Sequence, residues 1–258
     1  MTQLSIVIVS FNARADLEAC LDSLLAAPPA VSFEIVVVDN ASSDGSREAA
    51  SRRPGVRVIE NSANVGFAAA NNAGIRASGG ANVLLLNSDT IVPAGAIDRL
   101  LAELDRDPSV AVVGPRLVDA SGGAELSFGR MISPLNELRQ KYLAPRSVER
   151  TTRARQYPDW VSGACLLVRR AEAEAVGLLD ERFFMYTEDV DFCAAIRARG
   201  KRVLFTPDVE VVHRRGRSGT AAPDATRAAY RRSHIAFYEK HHPRWAPLLR
   251  WYLRFTDG

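Results

Sequence analysis

Four strand-length segments with apolar interiors each run directly into small polar or acidic residues, and this repeated feature restricts the fold most. The segments are Leu4–Ser10, Phe33–Val38, Val56–Glu60 and Val83–Leu86. Their ends read Ser10-Phe11-Asn12, Asp39-Asn40, Asn61–Asn64 and Asn87-Ser88-Asp89. A near-continuous apolar strand is buried on both faces, unlike the alternating strand of a half-wet sheet. Helical patterns fall between the strands at Asp16–Leu25, Ser46–Ser51, Gly66–Ala77 and Ala94–Asp105, the last opened by Pro93. This alternation predicts an α/β fold with a mostly parallel, Rossmann-like sheet flanked by helices. Ligands of such sheets bind beyond the carboxyl ends of the strands. One polar strand end is ordinary loop chemistry, whereas four together outline a cleft.

The rhythm changes near Ser127. Residues 127–158 show little periodicity and predict an irregular excursion with one short helix. Order resumes with a strand at Ala164–Val168, helices at Arg170–Val176 and Thr187–Arg199, the latter closed by Gly200, and strands at Val203–Phe205 and Val209–Val212. From Thr226 the pattern is helical, interrupted by Pro243 and Pro247. The 258 residues, 47% hydrophobic and 24% charged, suffice for a sizeable core and exclude disordered, collagen-like and coiled-coil classes. The net charge of +3 hides an asymmetry: residues 1–126 carry 9 basic and 15 acidic side chains, and residues 127–258 carry 24 and 15. So small a net charge gives no reason to expect a nucleic-acid partner. The pattern divides the chain into an α/β half at 1–126, a second half of the same domain at 127–222, and basic aromatic helices at 223–258.

Cys20, Cys165 and Cys193 form an odd set without a C-x-x-C pair, which predicts a reducing, cytoplasmic setting and no disulfide framework. The apolar run Leu4–Phe11 has no basic residues before it and no small-residue cleavage site after it, so it reads as a strand rather than a signal peptide. No run approaches the roughly 18 apolar residues of a spanning helix. The C-terminal segment, with Trp245, Trp251 and several arginines, suits a surface helix on anionic lipid, which would place the protein peripherally on the inner face of the membrane.

Neither a G-x-x-x-x-G-K-[ST] loop nor a G-x-G-x-x-G turn follows the first strand. A cleft holding Asp39 and Asp89 without a glycine cradle needs another means of handling an anion. Magnesium or manganese between carboxylate and diphosphate supplies one. Asp39 could also accept the imide N–H of uracil or thymine. Plainer readings exist: Asp39 and Asn40 as turn residues, Asp89 as a helix cap, and Glu188, Asp189 and Asp191 as acids favoured in a helix's first turn. Trp160 suits a core aromatic or a sugar-stacking platform equally. His234, His241 and His242 read as structural. His213 differs, because it ends a strand and precedes the basic loop Arg214–Gly219.

The ordered series Ser5–Asn12, Val36–Ser46, Asn64–Phe67, Leu84–Thr90, Trp160–Ala164, Leu178–Phe184, Glu188–Phe192 and His213 resembles the inverting glycosyltransferases of family two. The resemblance implies a type A glycosyltransferase fold, with 1–126 as the nucleotide-sugar-binding half, 127–222 as the acceptor-binding and catalytic half, and Asp39 at the pyrimidine base. It places Ser10, Phe11, Asn12, Asn64, Gly66, Phe67, Asn87 and Ser88 along the nucleotide. It further implies Asp89 and His213 as metal ligands and Asp189 as the general base, with Glu188 and Trp160 toward the acceptor. Arg215, Arg217 and Ser218 are expected to close over the diphosphate. Asn87 departs from the D-x-D pattern by replacing its first carboxylate with an amide. The branch looks most like bacterial rhamnosyltransferases of cell-wall or surface-polysaccharide assembly, which implies a TDP- or UDP-sugar donor and a saccharide or lipid-diphosphate-linked acceptor. The alternatives are a nucleotide-sugar-binding protein without turnover and a sugar nucleotidyltransferase. Phe11-Asn12-Ala13 lacks the Gly-rich basic loop that the last would need.

Overall fold

The computed structural model describes residues 2–137, 148–214 and 223–255. An eight-stranded sheet has the order β3-β2-β1-β4-β9-β6-β10-β5. Its first four strands are β1 (Leu4–Ser10), β2 (Phe33–Asp39), β3 (Val56–Glu60) and β4 (Asn82–Asn87), all mutually parallel. Beyond them lie β9 (Cys165–Arg169), antiparallel to both neighbours, then β6 (Val110–Val118) and β10 (Arg202–His213), parallel to each other, and the short antiparallel edge β5 (Thr90–Ile91). A separate two-stranded sheet pairs β7 (Phe128–Gly129) with β8 (Trp160–Val161).

The apolar runs become two cores. Ile6, Ile8, Ile35, Val37, Leu84 and Leu86 face one side of the sheet, where α1 (Arg14–Ala26) and α4 (Ala96–Arg106) cover them. Val7, Val36, Val38, Val83 and Leu85 face the other, beneath α3 (Phe67–Ala77), α6 (Arg170–Ala175) and α7 (Glu188–Ala198). A period of two therefore sends the apolar side chains in the middle of these strands alternately into one layer and the other, and their polar residues are confined to the strand ends and to the Ser5–Glu34 pair. The short α2 (Ser46–Ser51) follows β2, and α5 (Val148–Thr151) is the described helix between β7 and β8.

Two features differ from the expected elements. Strand β6 has no counterpart in the sequence reading, although it sits inside the sheet. Gly114-Pro115 punctuates it, but both residues answer to neighbours distant in sequence: a Cβ on Gly114 would lie 2.6 Å from Val161 Cβ, and pairing with β9 covers only Val112 and Val113, which leaves room for proline. The expected strands at 203–205 and 209–212 are one strand, β10, whose register against β6 shifts between Thr206 and Glu210, so that Pro207 is carried in an irregularity.

At the C-terminus α8 (Pro223–His241) buries His234, Phe237 and Tyr238, while Tyr230 remains exposed. The helix α9 (Ala246–Phe255) starts one residue before Pro247, so this proline lies in the first turn, where no helical N–H is lost. Ala246 and Leu249 pack inward, whereas Trp245, Leu248, Trp251 and Tyr252 are exposed. Among the described residues no helix is long and apolar enough to cross a membrane.

Candidate active site

The chain leaves β1 toward β2 and β3 on one side and later returns to β4 on the other, so the connections diverge between β1 and β4. That divergence opens a crevice at the carboxyl ends. Ser10 and Asp39 stand side by side in register there. Both are buried; among the described residues Ser10 Oγ and Asp39 Oδ1 have no hydrogen-bond partner, while Asp39 Oδ2 accepts the Ser42 N–H at 3.0 Å. A buried carboxylate oxygen without a donor is costly. Its position suits a ligand N–H.

The neighbouring loops are held by side-chain amides. Asn12, at φ +49°, accepts the Ser43 N–H at 2.8 Å and joins the β1 loop to the β2 loop. Asp44 accepts the Arg14 N–H at 2.8 Å, capping α1 from outside the helix. Burial opposes ionisation of Asp44, but hydrogen bonds from Ser46 and Arg14 hold its carboxyl below the usual range. Asn40 does more than turn chemistry: its amide donates to Asn64 Oδ1 at 2.8 Å and accepts from Asn61 Nδ2 at 3.0 Å and the Val65 N–H at 3.1 Å. Asn64 Oδ1 also receives the Gly66 N–H at 3.0 Å. The Asn12 and Asn64 amides thus shape the rim, and Phe11 is exposed at it.

Gly66 and Phe67 join the two halves of the site. The Phe67 N–H donates to Phe184 O at 2.6 Å, and a Cβ on Gly66, at φ +87°, would meet that oxygen at 2.4 Å.

Across the crevice, Asp89 Oδ1 lies 3.3 Å from His213 Nε2, and Asn87 Nδ2 lies 3.4 Å from the same nitrogen. Strand pairing of His213 with Thr90 fixes this meeting. Asp89 does not cap α4, which begins at Ala96 after Gly95. The other ring nitrogen, His213 Nδ1, lies 3.1 Å from Glu125 Oε2. Burial lowers the His213 pKa, but Asp89 and Glu125 outweigh it and hold it above the ordinary histidine value. Among the described residues no group of three or more His, Cys, Asp or Glu side chains forms a metal cage. One carboxylate and one imidazole facing each other nevertheless fit a divalent cation whose remaining ligands are substrate oxygens and water.

The third part of the site is the start of α7. Tyr186 and Thr187 both have positive φ, +70° and +66°, and turn the chain sharply into Glu188-Asp189. Asp189 Oδ2 accepts the Gly163 N–H at 2.9 Å, and Oδ1 accepts the Val190 N–H at 2.8 Å. Burial raises its pKa despite these bonds. Glu188 is buried with Oε2 unpartnered; burial, reinforced by the Asp189 charge, pushes its carboxyl well above the usual range. Asp191 points elsewhere, meeting Lys240 Nζ at 2.8 Å and His241 Nε2 at 2.6 Å, so it ties α7 to α8. Residues 5–173 match glycosyl transferase family 2. The chain belongs to that family.

Relatives within this glycosyltransferase family extend the match. The N-acetylglucosaminyl-diphospho-decaprenol L-rhamnosyltransferase of Mycobacterium tuberculosis is 33% identical over 275 residues, spanning 97% of this chain and 89% of the relative. The low-salt glycan biosynthesis hexosyltransferase Agl10 of Haloferax volcanii is 27% identical over 218 residues, 83% of this chain and 67% of its own. The mannosyltransferase PcManGT from Pyrobaculum calidifontis, solved with GDP-Man and Mn2+, superposes with a TM-score of 0.66 at 23% identity, covering 96% of this chain and 68% of that one. GalNAc-T7, solved with UDP, GalNAc and Mn2+, gives 0.69 at 18% identity, covering 93% and 48%. The shared architecture is the type A glycosyltransferase fold, as the motifs implied, and the protein is a glycosyltransferase.

Of the remaining expected site residues, Ser88 lies between Asn87 and Asp89 in the turn after β4. Trp160 is partly buried against two apolar clusters and donates its indole N–H to Arg130 O at 2.9 Å. Arg215, Arg217 and Ser218 lie outside the described residues. His234 pairs with Glu137 at 2.7 Å, and His242 Nε2 lies 2.9 Å from Ile132 O, so both are structural, as is His241. All three cysteines are buried and free; burial pushes the Cys20 thiol up to about 12. Glu125 carried no sequence signal, and Gly163 only its place in the Trp160–Ala164 motif, because each acquires its role through a partner far along the chain.

Proposed function

We propose that this glycosyltransferase transfers a sugar, L-rhamnose or a close analogue, from a TDP- or UDP-sugar to a hydroxyl of a lipid-diphosphate-linked saccharide, with inversion at the anomeric carbon. The observation that carries the reading is the buried, unpartnered Asp39 Oδ1 at the switch-point crevice, which calls for a donor such as a pyrimidine imide N–H. Asp189 accepts the acceptor hydroxyl proton, the oxygen attacks the anomeric carbon, and the bond to the nucleoside diphosphate breaks. Two backbone N–H groups hold the Asp189 carboxylate, so position supplies much of its effect as a base. Magnesium or manganese at Asp89 and His213, when bound, would supply positive charge to the leaving diphosphate. The rhamnosyl and lipid-linked elements are supported by the mycobacterial relative, whose own name states both.

The test is a panel of UDP-, TDP- and GDP-sugars with Mg2+ or Mn2+, scored for nucleotide release with and without acceptor. Asp189→Asn should retain donor binding and lose about 10²–10⁴ in kcat. Unchanged glycosylation would remove Asp189 from the mechanism. Absence of binding and turnover with every donor would overturn the reading.

A lipid-linked acceptor also calls for a membrane-facing surface. The exposed surface of α9 and of the turn before it presents Trp245, Leu248 and Trp251 among Arg244, Arg250 and Arg254. Deleting residues 244–258 should reduce binding to vesicles containing anionic lipid more than it reduces activity on a soluble acceptor. Equal vesicle binding by the shortened chain would remove this role.

A further inference from the structure

We propose that Glu125 is a positioning residue for the metal site: it fixes the ring of His213 so that Nε2, rather than Nδ1, is presented to a divalent cation shared with Asp89. This deepens the metal-dependent reading above and rests on it.

The fold brings Glu125 to this place by a tight reversal after β6. Asp119 Oδ1 accepts the N–H groups of Ser121 at 2.8 Å and Gly123 at 2.9 Å, and the Glu125 N–H donates to Leu117 O at 2.9 Å. A bridge between Val118 and Ala124 closes the turn. Glu125 is thereby set beside the end of β10, where it is only 8% exposed. A carboxylate so placed needs a charge-compensating or hydrogen-bonding partner. It has His213 Nδ1 at 3.1 Å.

The other ring nitrogen makes this contact more than a buried hydrogen bond. His213 Nε2 faces Asp89 Oδ1 at 3.3 Å. When Nδ1–H donates to Glu125, Nε2 carries the lone pair, and that lone pair is directed at a second carboxylate. The Asn87 amide, with Nδ2 3.4 Å from Nε2, can donate to that lone pair but brings no net charge, so lone pair and carboxylate still repel one another until positive charge lies between them. A metal-binding histidine characteristically gives its second N–H to a carboxylate, which sets the tautomer and raises ligand basicity. The line Glu125–His213–Asp89 has this order, with one ring nitrogen held and the other offered.

The experiment measures Mn2+ affinity of the full chain by the electron paramagnetic resonance signal of free Mn2+, alongside UDP and TDP binding without metal. Glu125→Ala should weaken Mn2+ binding about 10–100-fold. Metal-free nucleotide binding and the thermal midpoint should stay close to those of the parent. Glu125→Gln, which keeps an acceptor for Nδ1–H, should recover part of the lost affinity. A merely structural role would lower the midpoint without this selective loss and partial rescue. If Glu125→Ala does not fold, Glu125→Asp, which draws the carboxylate back by one methylene, takes its place with the same expected direction. Unchanged Mn2+ affinity in the folded variant, while His213→Ala loses Mn2+, overturns the role of Glu125 and leaves the metal reading standing. Equal Mn2+ binding by the parent, Asp89→Ala and His213→Ala overturns the metal reading itself, and this proposal with it.

Discussion

Glu188 and Asp189 are consecutive acids at the start of one helix, yet their surroundings divide the work between them. Asp189 receives two backbone N–H groups, whereas Glu188 is buried with an oxygen unpartnered. Both pKa values are raised by burial, and Glu188 also feels the Asp189 charge, so Asp189 ionises first and Glu188 keeps its proton to higher pH. Asp189, proposed above as the base, must be deprotonated to act. Activity should therefore rise with pH through the Asp189 pKa, along a limb lying above the ordinary aspartate value of about 3.9. Glu188 is neutral while Asp189 titrates, so Glu188→Gln should leave that limb in place; a limb that shifts would show that the two roles are reversed. Stability follows the same assignment. A carboxyl whose folded pKa is raised makes its favourable contribution at acid pH and loses it as pH rises through the folded value. The difference in thermal midpoint between Glu188→Gln and the parent should accordingly grow in favour of the variant from pH 5 to pH 9. A constant difference across that range would mean that Glu188 is charged in the folded protein throughout.

At the scale of elements, the join between the α3 start and the loop before α7 sets how the two halves of the site meet. Gly66 has φ +87° and no room for a Cβ, because Phe184 O would lie 2.4 Å away. Gly66→Ala should cost about 1–3 kcal/mol from the backbone conformation alone, with steric displacement of Phe184 added. Moving Phe184 disturbs Tyr186 and Thr187, so kcat should fall further than metal-free nucleotide affinity does. Equal losses in both would place the glycine's effect in the nucleotide crevice only. These elements also show what a sequence can disclose. Strands β1, β2 and β4 were legible because both of their faces are buried and their side chains are therefore almost uniformly apolar. Strand β6 was not, since Gly114 answers to Val161 and Pro115 to a gap in pairing, and neither neighbour is local. Asp39, Asp89 and Asp189 were visible as acids at strand ends or at a helix start. Asn40 looked like turn chemistry because its bonds run to residues 61–65, on the next crossover.

For the whole molecule, the decisive feature is that the sheet assembles one carboxylate–imidazole pair from distant parts of the chain. Asp89 follows β4, His213 ends β10, and they meet because β5 turns back to pair with β10. Glu125 lies behind the ring, on Nδ1, so Asp89 and His213 Nε2 are the two side-chain groups that face each other across the point where a cation would sit, and among the described residues no ready-made metal cage surrounds it. A hard divalent cation takes about six oxygen or nitrogen ligands. Two protein side chains leave most of that shell to be filled by water or by a diphosphate. A diphosphate anchored at the nucleotide crevice would fill part of it at lower entropic cost than water-only coordination allows. Metal and nucleotide should therefore bind cooperatively, and the coupling must be reciprocal. Titrating Mn2+ with and without saturating UDP or TDP should show tighter metal binding in the presence of nucleotide, by about 5–150-fold. Nucleotide affinity should rise by the same factor when Mn2+ is present, after correction for Mn2+ bound by free nucleotide. Asp89→Ala should abolish the coupling while retaining metal-free nucleotide binding through the Asp39 side of the crevice. Equal Mn2+ affinity with and without nucleotide would show that the diphosphate adds nothing to the metal shell beyond what protein and water supply, and would overturn the coupling.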